Sequence, residues 1–113
     1  MTVSIGILGF AHGHVNSYRT QWRQRPELGV NVVAGWDHDQ ERLAKMNADG
    51  SLDACETPEA LLARDDIAAV VIGAETAYHA DLVEKAAAAG KTIVLQKPMA
   101  LTLPQADRIV QAV

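Results

Sequence analysis

The chain has 113 residues, of which 49% are hydrophobic and 21% charged, and a formal net charge of -4 at pH 7. These values are typical of one folded domain, residues 1–113, and they argue against a disordered chain. Because the balance is acidic and contains no basic run, we expect neither nucleic acid nor an anionic membrane as a partner.

Short strand-forming runs alternate with segments of helical period along the chain, which predicts βαβ units. We expect strands over 3–8, 30–36, 68–73 and 92–95, a minor strand within 51–56, and helices over 13–24, 39–48, 58–63 and 78–89. A last helix should follow Thr102 and run to Val113. Asp39 and Thr57 are predicted N-caps. The predicted fold is a Rossmann-like α/β domain, a doubly wound parallel sheet of about five strands in a three-layer αβα arrangement.

The turn after the first strand reads Gly9-Phe-Ala-His-Gly-His14, an imperfect version of the dinucleotide fingerprint G-x-G-x-x-G. Gly9 can form the tight turn, but Ala11 and His14 replace the second and third glycines. Gly13 could take the third role in a shifted register. The helix after this turn offers unpaired N–H groups to a diphosphate. Six loop residues are therefore candidate cofactor-binding residues: Gly9, Phe10, Ala11, His12, Gly13 and His14.

Asp37 ends the second strand, 28 residues after Gly9, where a carboxylate would accept hydrogen bonds from an adenosine ribose. The same carboxylate would repel a 2′-phosphate, so the sequence favours NAD over NADP, although Arg42 is near enough to accommodate the phosphate. The alternative is a strand-end turn residue without a ligand.

The chain resembles the nucleotide-binding half of the Gfo/Idh/MocA oxidoreductases. The resemblance rests on three parts: Ile5 to Gly9 with its loop, Asp37, and two segments, Ile67 to His79 and Ala89 to Pro98. It spans nearly the whole chain. It implies an NAD(P)-dependent enzyme that oxidises or reduces hydroxyl or carbonyl groups on sugars, cyclitols and related compounds.

The family's Glu-Lys-Pro motif corresponds to Gln96-Lys97-Pro98 here. The resemblance implies that Lys97 lies near the nicotinamide and the substrate, and that the Lys97–Pro98 bond could be cis. Lys97 and His79 are the candidate catalytic residues. Glu75, Gln96 and Lys97 join the candidate cofactor-binding residues. Two departures stand out: Gln96 replaces the motif's glutamate, and Glu75-Thr76 replaces Pro-Asn.

The resemblance also implies a second α/β domain that supplies much of the substrate pocket and an acid/base pair. This sequence contains no counterpart of that domain, nor of the final one or two strands of the cofactor fold. We therefore expect a partial domain that binds cofactor without completing catalysis. A sugar-like substrate would bind through the missing domain, and an open sheet edge at 93–95 could support a homodimer or be covered by the last helix.

Three alternatives remain open at this point. The chain could be an oxidoreductase cofactor domain, a non-catalytic NAD-sensing or interaction domain on the same fold, or an α/β domain that binds no dinucleotide. His12 and His14 form an H-x-H pair, but without a nearby third ligand we predict no metal. The single cysteine, Cys55, forms no intrachain disulfide, and neither a signal peptide nor a spanning segment is indicated, so we expect a cytoplasmic location.

Overall fold

A computed structural model describes residues 2–11, 13–96 and 102–113. The described chain forms one five-stranded parallel sheet in the order β3-β2-β1-β4-β5. The strands are β1 (Val3–Leu8), β2 (Val30–Trp36), β3 (Asp53–Ala54), β4 (Ala69–Ile72) and β5 (Thr92–Leu95). The helices are α1 (Gly13–Gln24), α2 (Gln40–Met46), α3 (Pro58–Leu62), α4 (His79–Ala88) and α5 (Leu103–Ala112).

Two hydrophobic clusters lie on opposite faces of the sheet, which gives the predicted three layers. Successive side chains of a strand point to opposite faces. Ile7 of β1 therefore packs with Val15 and Leu43 below α1 and α2, whereas Leu8 packs with the cluster under α3, α4 and α5. Both faces of β1 and β4 are covered, so these strands are nearly continuous apolar runs.

The predicted caps fix the starts of three helices. Asp39 accepts a hydrogen bond from the N–H of Arg42, and Thr57 accepts one from Ala60. Thr102 does the same for Gln105. Each cap satisfies an N–H group that has no partner within the helix.

The predicted bounds of β1, β2, β5 and α1 are confirmed, and the clearest differences are in two helices. α2 ends at Met46 rather than 48, because the Asn47 side chain donates to the Leu52 carbonyl and accepts from its N–H, which pulls the chain into a turn. A 3-10 turn over Thr76–Tyr78 precedes α4.

The last helix packs on α4. Ile109 of α5 is buried, and Arg108 donates to Asp81 at 2.7 Å and also pairs with Glu84. Val94 of β5 is exposed. Dimerisation through this edge stays a prediction. None of the helices formed by the described residues has the length and apolar character needed to span a bilayer.

Candidate functional site

The order of the strands places a crevice at the carboxyl ends of β1 and β4. The chain leaves β1 toward β2 on one side and reaches β4 on the other, and ligands of open α/β sheets bind at such switch points. The two loops that leave these strands are tied to the neighbouring strands. Gly9 N–H donates to the Trp36 carbonyl at 2.7 Å, and Gly73 N–H donates to the Leu8 carbonyl at 3.0 Å.

Gly9 and Gly73 allow the two loops to touch. Gly9 has φ +94°, and a Cβ there would lie 2.4 Å from Ala74 Cα. A Cβ at Gly73 would lie 2.2 Å from Val15 Cγ2 and 2.8 Å from the Gly9 carbonyl oxygen. Neither position can carry a side chain without moving backbone or helix α1. Gly9 therefore forms the tight turn that the sequence predicted, and Gly73 supplies the close helix packing.

The start of α1 is open beside this turn. Ala11 is exposed, and a Cβ at Gly13 would meet no described heavy atom within 4 Å. The idea that Gly13 permits close packing of helix and strand is therefore wrong, since Gly73 makes that contact. The first N–H groups of α1 face the crevice end of the sheet without partners in the helix. His12 lies outside the described residues, and of His14 only the backbone, within α1, is described.

Phe10 takes part in the site through its backbone. Its ring is buried in the cluster under α1, with the guanidinium of Arg19 5.7 Å from the ring centroid. Its N–H donates to Asp37 Oδ2 at 2.8 Å. The side chain thus anchors the loop, and the amide connects it to β2.

Asp37 is completely buried, and its carboxylate accepts four hydrogen bonds. Oδ2 accepts from Phe10 N–H at 2.8 Å and from Arg42 Nε at 2.8 Å. Oδ1 accepts from Asp39 N–H at 2.8 Å and from Arg42 Nη2 at 2.9 Å. A carboxylate has about four lone-pair positions. In this arrangement Asp37 has no position left for a ribose hydroxyl, and it ties the loop after β1 to the start of α2.

Arg42 continues the network across the crevice to the loop after β4. Its Nη2 donates to both carboxylate oxygens of Glu75, each at 3.1 Å. His38 Nε2 lies 2.8 Å from Glu75 Oε2, and because a carboxylate only accepts, this nitrogen is the donor. The His38 ring also lies 4.8 Å from the Tyr78 ring, centroid to centroid. Glu75 is 40% exposed, in contrast to the buried Asp37.

The charges of this cluster stabilise one another. Burial would raise the pKa of Asp37, but the hydrogen bonds from Arg42, Asp39 and Phe10 outweigh it and hold that pKa below its usual value. Glu75 behaves similarly: its partial burial is outweighed by the donors His38 and Arg42, so its pKa is lowered. The hydrogen bond to Asp37 is the largest cause that raises the pKa of Arg42. All three groups are therefore ionised near neutral pH.

His79 begins α4 and is 1% exposed. Its Nε2 lies 2.9 Å from the Ala74 carbonyl oxygen, so this nitrogen carries the proton and donates. The ring thereby supports the loop that touches Gly9. This burial favours a positioning role, and the catalytic role of His79 stays a prediction.

Gln96 is buried at the end of β5, and its N–H donates to the Ile72 carbonyl at 3.2 Å. It therefore lies beside the end of β4, and its contact with the cofactor stays a prediction. Lys97 and the Lys97–Pro98 bond lie outside the described residues.

Two clefts elsewhere on the surface lack the features of the crevice. One, of about 380 Å³, lies between α1 and the amino end of β2 and is lined by Trp22, Arg23 and Val30 among others. The other, of about 320 Å³, lies between α1 and α2 and is lined by Lys45 and Asp49 among others. Neither is lined by described residues of the loops that follow β1 and β4, where the glycine turn and the ionised cluster meet. We therefore take the crevice as the functional site.

The sequence did not reveal the roles of Gly73 and His38. A glycine directly after a buried strand is a usable signal, since it often marks a close approach of backbone. His38 carries no comparable signal, because its partner Glu75 is 37 residues away on another loop.

Comparison with known families identifies the chain. The family model described as the Gfo/Idh/MocA oxidoreductase family, NAD-binding Rossmann fold, matches residues 3–113. The chain belongs to this family. The resemblance drawn from the sequence motifs is thereby confirmed, and the chain is an NAD-binding Rossmann domain of the Gfo/Idh/MocA type.

Relatives of this Gfo/Idh/MocA domain are about three times as long. An inositol 2-dehydrogenase from Gluconacetobacter diazotrophicus is 31% identical over an alignment of 114 positions, which covers 99% of this chain and 33% of the relative. The myo-inositol dehydrogenase of Lactobacillus casei, solved with NAD(H) and myo-inositol, is 29% identical with a TM-score of 0.81 over 99% of this chain and 33% of its own. A variant 3-ketoreductase from Actinomadura kijaniata, solved with TDP-benzene and NADP, is 25% identical with a TM-score of 0.77, covering 99% and 34%.

Proposed function

We propose that this chain binds NAD(H) along the crevice between β1 and β4 and serves as the cofactor half of an oxidoreductase. The reaction would move a hydride between the nicotinamide and a hydroxyl or carbonyl carbon of a sugar or cyclitol. The observation that carries the proposal is the Gly9 turn, which has a positive φ, touches the loop after β4 and leads into the open start of α1.

The residues of the crevice fit a dinucleotide. The start of a 12-residue helix offers N–H groups and a partial positive charge to the diphosphate. The ionised Asp37 and Glu75 at the adenosine end disfavour a 2′-phosphate, which supports NAD over NADP. One related structure holds NAD(H) and another NADP, so the preference comes from these carboxylates and not from the family.

The bound nicotinamide would accept or release the hydride, and the protein would position it. When a hydride leaves a C–H bond of an alcohol, the hydroxyl proton must leave as well. We propose Lys97 as the residue that orients the reacting oxygen, on the resemblance to the family's motif. His79 and Gln96 would hold the nicotinamide side of the crevice.

The chain spans about a third of the length of the relatives it matches. We therefore propose that the sugar-like substrate binds mainly through a further domain, and that the chain alone binds cofactor without full turnover. A homodimer through β5 and a cytoplasmic location belong to the same proposal, the latter consistent with the free Cys55.

The buried ring of His79 favours one alternative, a non-catalytic NAD sensor on the same fold. A sensor needs the crevice but no accessible proton acceptor, and His79 is 1% exposed. Turnover of the complete gene product on a panel of polyols and amino-sugar derivatives would separate the two. Hydride transfer supports the oxidoreductase, and saturable NADH binding without transfer supports the sensor.

A charge placed at the start of α1 tests the cofactor site. Gly13→Asp introduces a carboxylate into open space where the diphosphate is proposed to bind, and an acidic residue in the first turn does not harm the helix. We expect NADH affinity to fall about tenfold or more by fluorescence titration, because like charges in a binding site are costly. Gly50→Asp, at an exposed position past α2, adds the same charge away from the crevice and should bind as the parent does, although its positive φ lowers stability somewhat. Equal affinities for both variants, or calorimetric titrations that are flat with NAD, NADH and NADP, would refute the site.

A further inference from the structure

Arg42 is bound by one carboxylate on each side of the crevice. Its Nε and Nη2 bind Asp37 at 2.8 and 2.9 Å, and the same Nη2 binds Glu75 at 3.1 Å. Its side chain is 24% exposed, so it borders the crevice and is not part of the core. An arginine is the residue that usually accommodates the 2′-phosphate of NADP. Here two nitrogens of that guanidinium, Nε and Nη2, are already paired with carboxylates.

The two carboxylates differ in what they can offer a ligand. Asp37 is buried and accepts four hydrogen bonds, two of them from backbone N–H groups that fix the loop. Glu75 is 40% exposed and is held by Arg42 and His38, with part of its carboxylate toward solvent. At the adenosine end of the crevice, the carboxylate that a nucleotide can contact is therefore that of Glu75, on the loop after β4.

We infer that Glu75 sets the preference between the two dinucleotides by occupying the part of Arg42 that a ribose 2′-phosphate would bind. The inference rests on the proposed binding of NAD(H). On this inference Asp37 positions the loop after β1. The contact with the ribose is made by Glu75, 38 positions further along the chain. In this role Glu75, which already accepts three hydrogen bonds, accepts one more from a ribose hydroxyl and repels a phosphate.

Removing the charge of Glu75 should make Arg42 available to a phosphate. Glu75→Gln keeps the size of the side chain and its capacity to accept one hydrogen bond, but it no longer neutralises Arg42. Nη2 keeps its bond to Asp37, and its N–H that pointed to Glu75 can then donate to a phosphate, a charge-assisted bond that is stronger than one between neutral groups. NADPH should gain affinity and NADH should lose a little.

The experiment compares NADH and NADPH binding to the 113-residue chain by fluorescence titration. For Glu75→Gln we expect the ratio of the two dissociation constants to shift toward NADPH by about tenfold or more, the equivalent of about 1.4 kcal/mol. Glu75→Asp keeps the charge and should retain most of the NADH preference. Glu27→Gln, an exposed glutamate at the opposite end of the sheet, is the matched control and should leave the ratio unchanged. Circular dichroism of each variant establishes that it is folded.

The double variant Glu75→Gln with Arg42→Met identifies the group that receives the phosphate. If Arg42 receives it, the gain for NADPH disappears in the double variant. A ratio that does not move in Glu75→Gln, while the parent binds NADH, overturns this inference and leaves the proposed function intact. A parent chain that binds neither dinucleotide overturns both.

Discussion

Replacing Asp37 by asparagine should lower the free energy of unfolding of this domain, although the two side chains have nearly the same size. The substitution removes a buried charge with four donors, and asparagine offers one acceptor oxygen while its NH₂ group opposes the Arg42 guanidinium. Breaking a buried ion pair by removing one partner costs about 3–5 kcal/mol. Arg42 is 24% exposed and keeps Glu75, so we expect the lower end, about 3 kcal/mol. For a chain of this length that lowers the Tm by about 10 °C.

Urea unfolding monitored by tryptophan fluorescence measures this loss, since Trp36 directly precedes Asp37. The control is Asp39→Asn, the same chemical change two residues away at an exposed N-cap. Asparagine caps a helix as well as aspartate does, so the control should change the free energy of unfolding by less than about 0.5 kcal/mol. If both variants lose equally little free energy of unfolding, the Asp37 carboxylate does not hold the loop, and the role assigned to its four donors is wrong.

Two further predictions concern the turn and its charges. Gly9→Ala should cost about 3 kcal/mol of stability by urea unfolding, because its Cβ meets Ala74 at 2.5 Å or less in a strained backbone conformation. Gly50→Ala, also at positive φ but in open space, should cost only about 1 kcal/mol, and equal losses would show that the contact is irrelevant. Because the pKa of Asp37 is lowered on folding, its stabilisation is full above the ordinary carboxyl pKa of about 4 and is lost as the pH falls through the lower folded value. Asp37→Asn should therefore flatten the acid side of the stability profile, and an unchanged slope would contradict the lowered pKa.

The sequence was sufficient to predict the strands and helix starts that depend on local signals. β1 and β2 were placed correctly because apolar runs end at Gly9 and Asp37, and α2 was placed because Asp39 is a good cap. The position of Asp37 directly after β2 was predicted from the end of that apolar run, whereas its predicted contact with a ribose stays untested. The pairing of Arg42 with Glu75 could not be predicted, since the two residues are 33 positions apart and meet only after the sheet has assembled.

The length of α2 and the role of Gly13 show the limits of local reasoning. The helix ends early because Asn47 bonds the backbone of Leu52, a contact that helix propensity does not contain. Gly13 was assigned a packing role by analogy with the fingerprint, whereas the tight contact of Val15 is with Gly73, 58 residues further along the chain. Tertiary proximity, not spacing, decides which glycine is needed.

The hydrogen bond from the Phe10 amide to Asp37 joins residues 27 positions apart. A turn held in this way cannot acquire its final shape until the second βα unit has docked on the first, because loop closure must precede the contact. The final shape of the turn therefore depends on the pairing of β1 with β2. Any partial opening of β2 from β1 would break this hydrogen bond and release the turn.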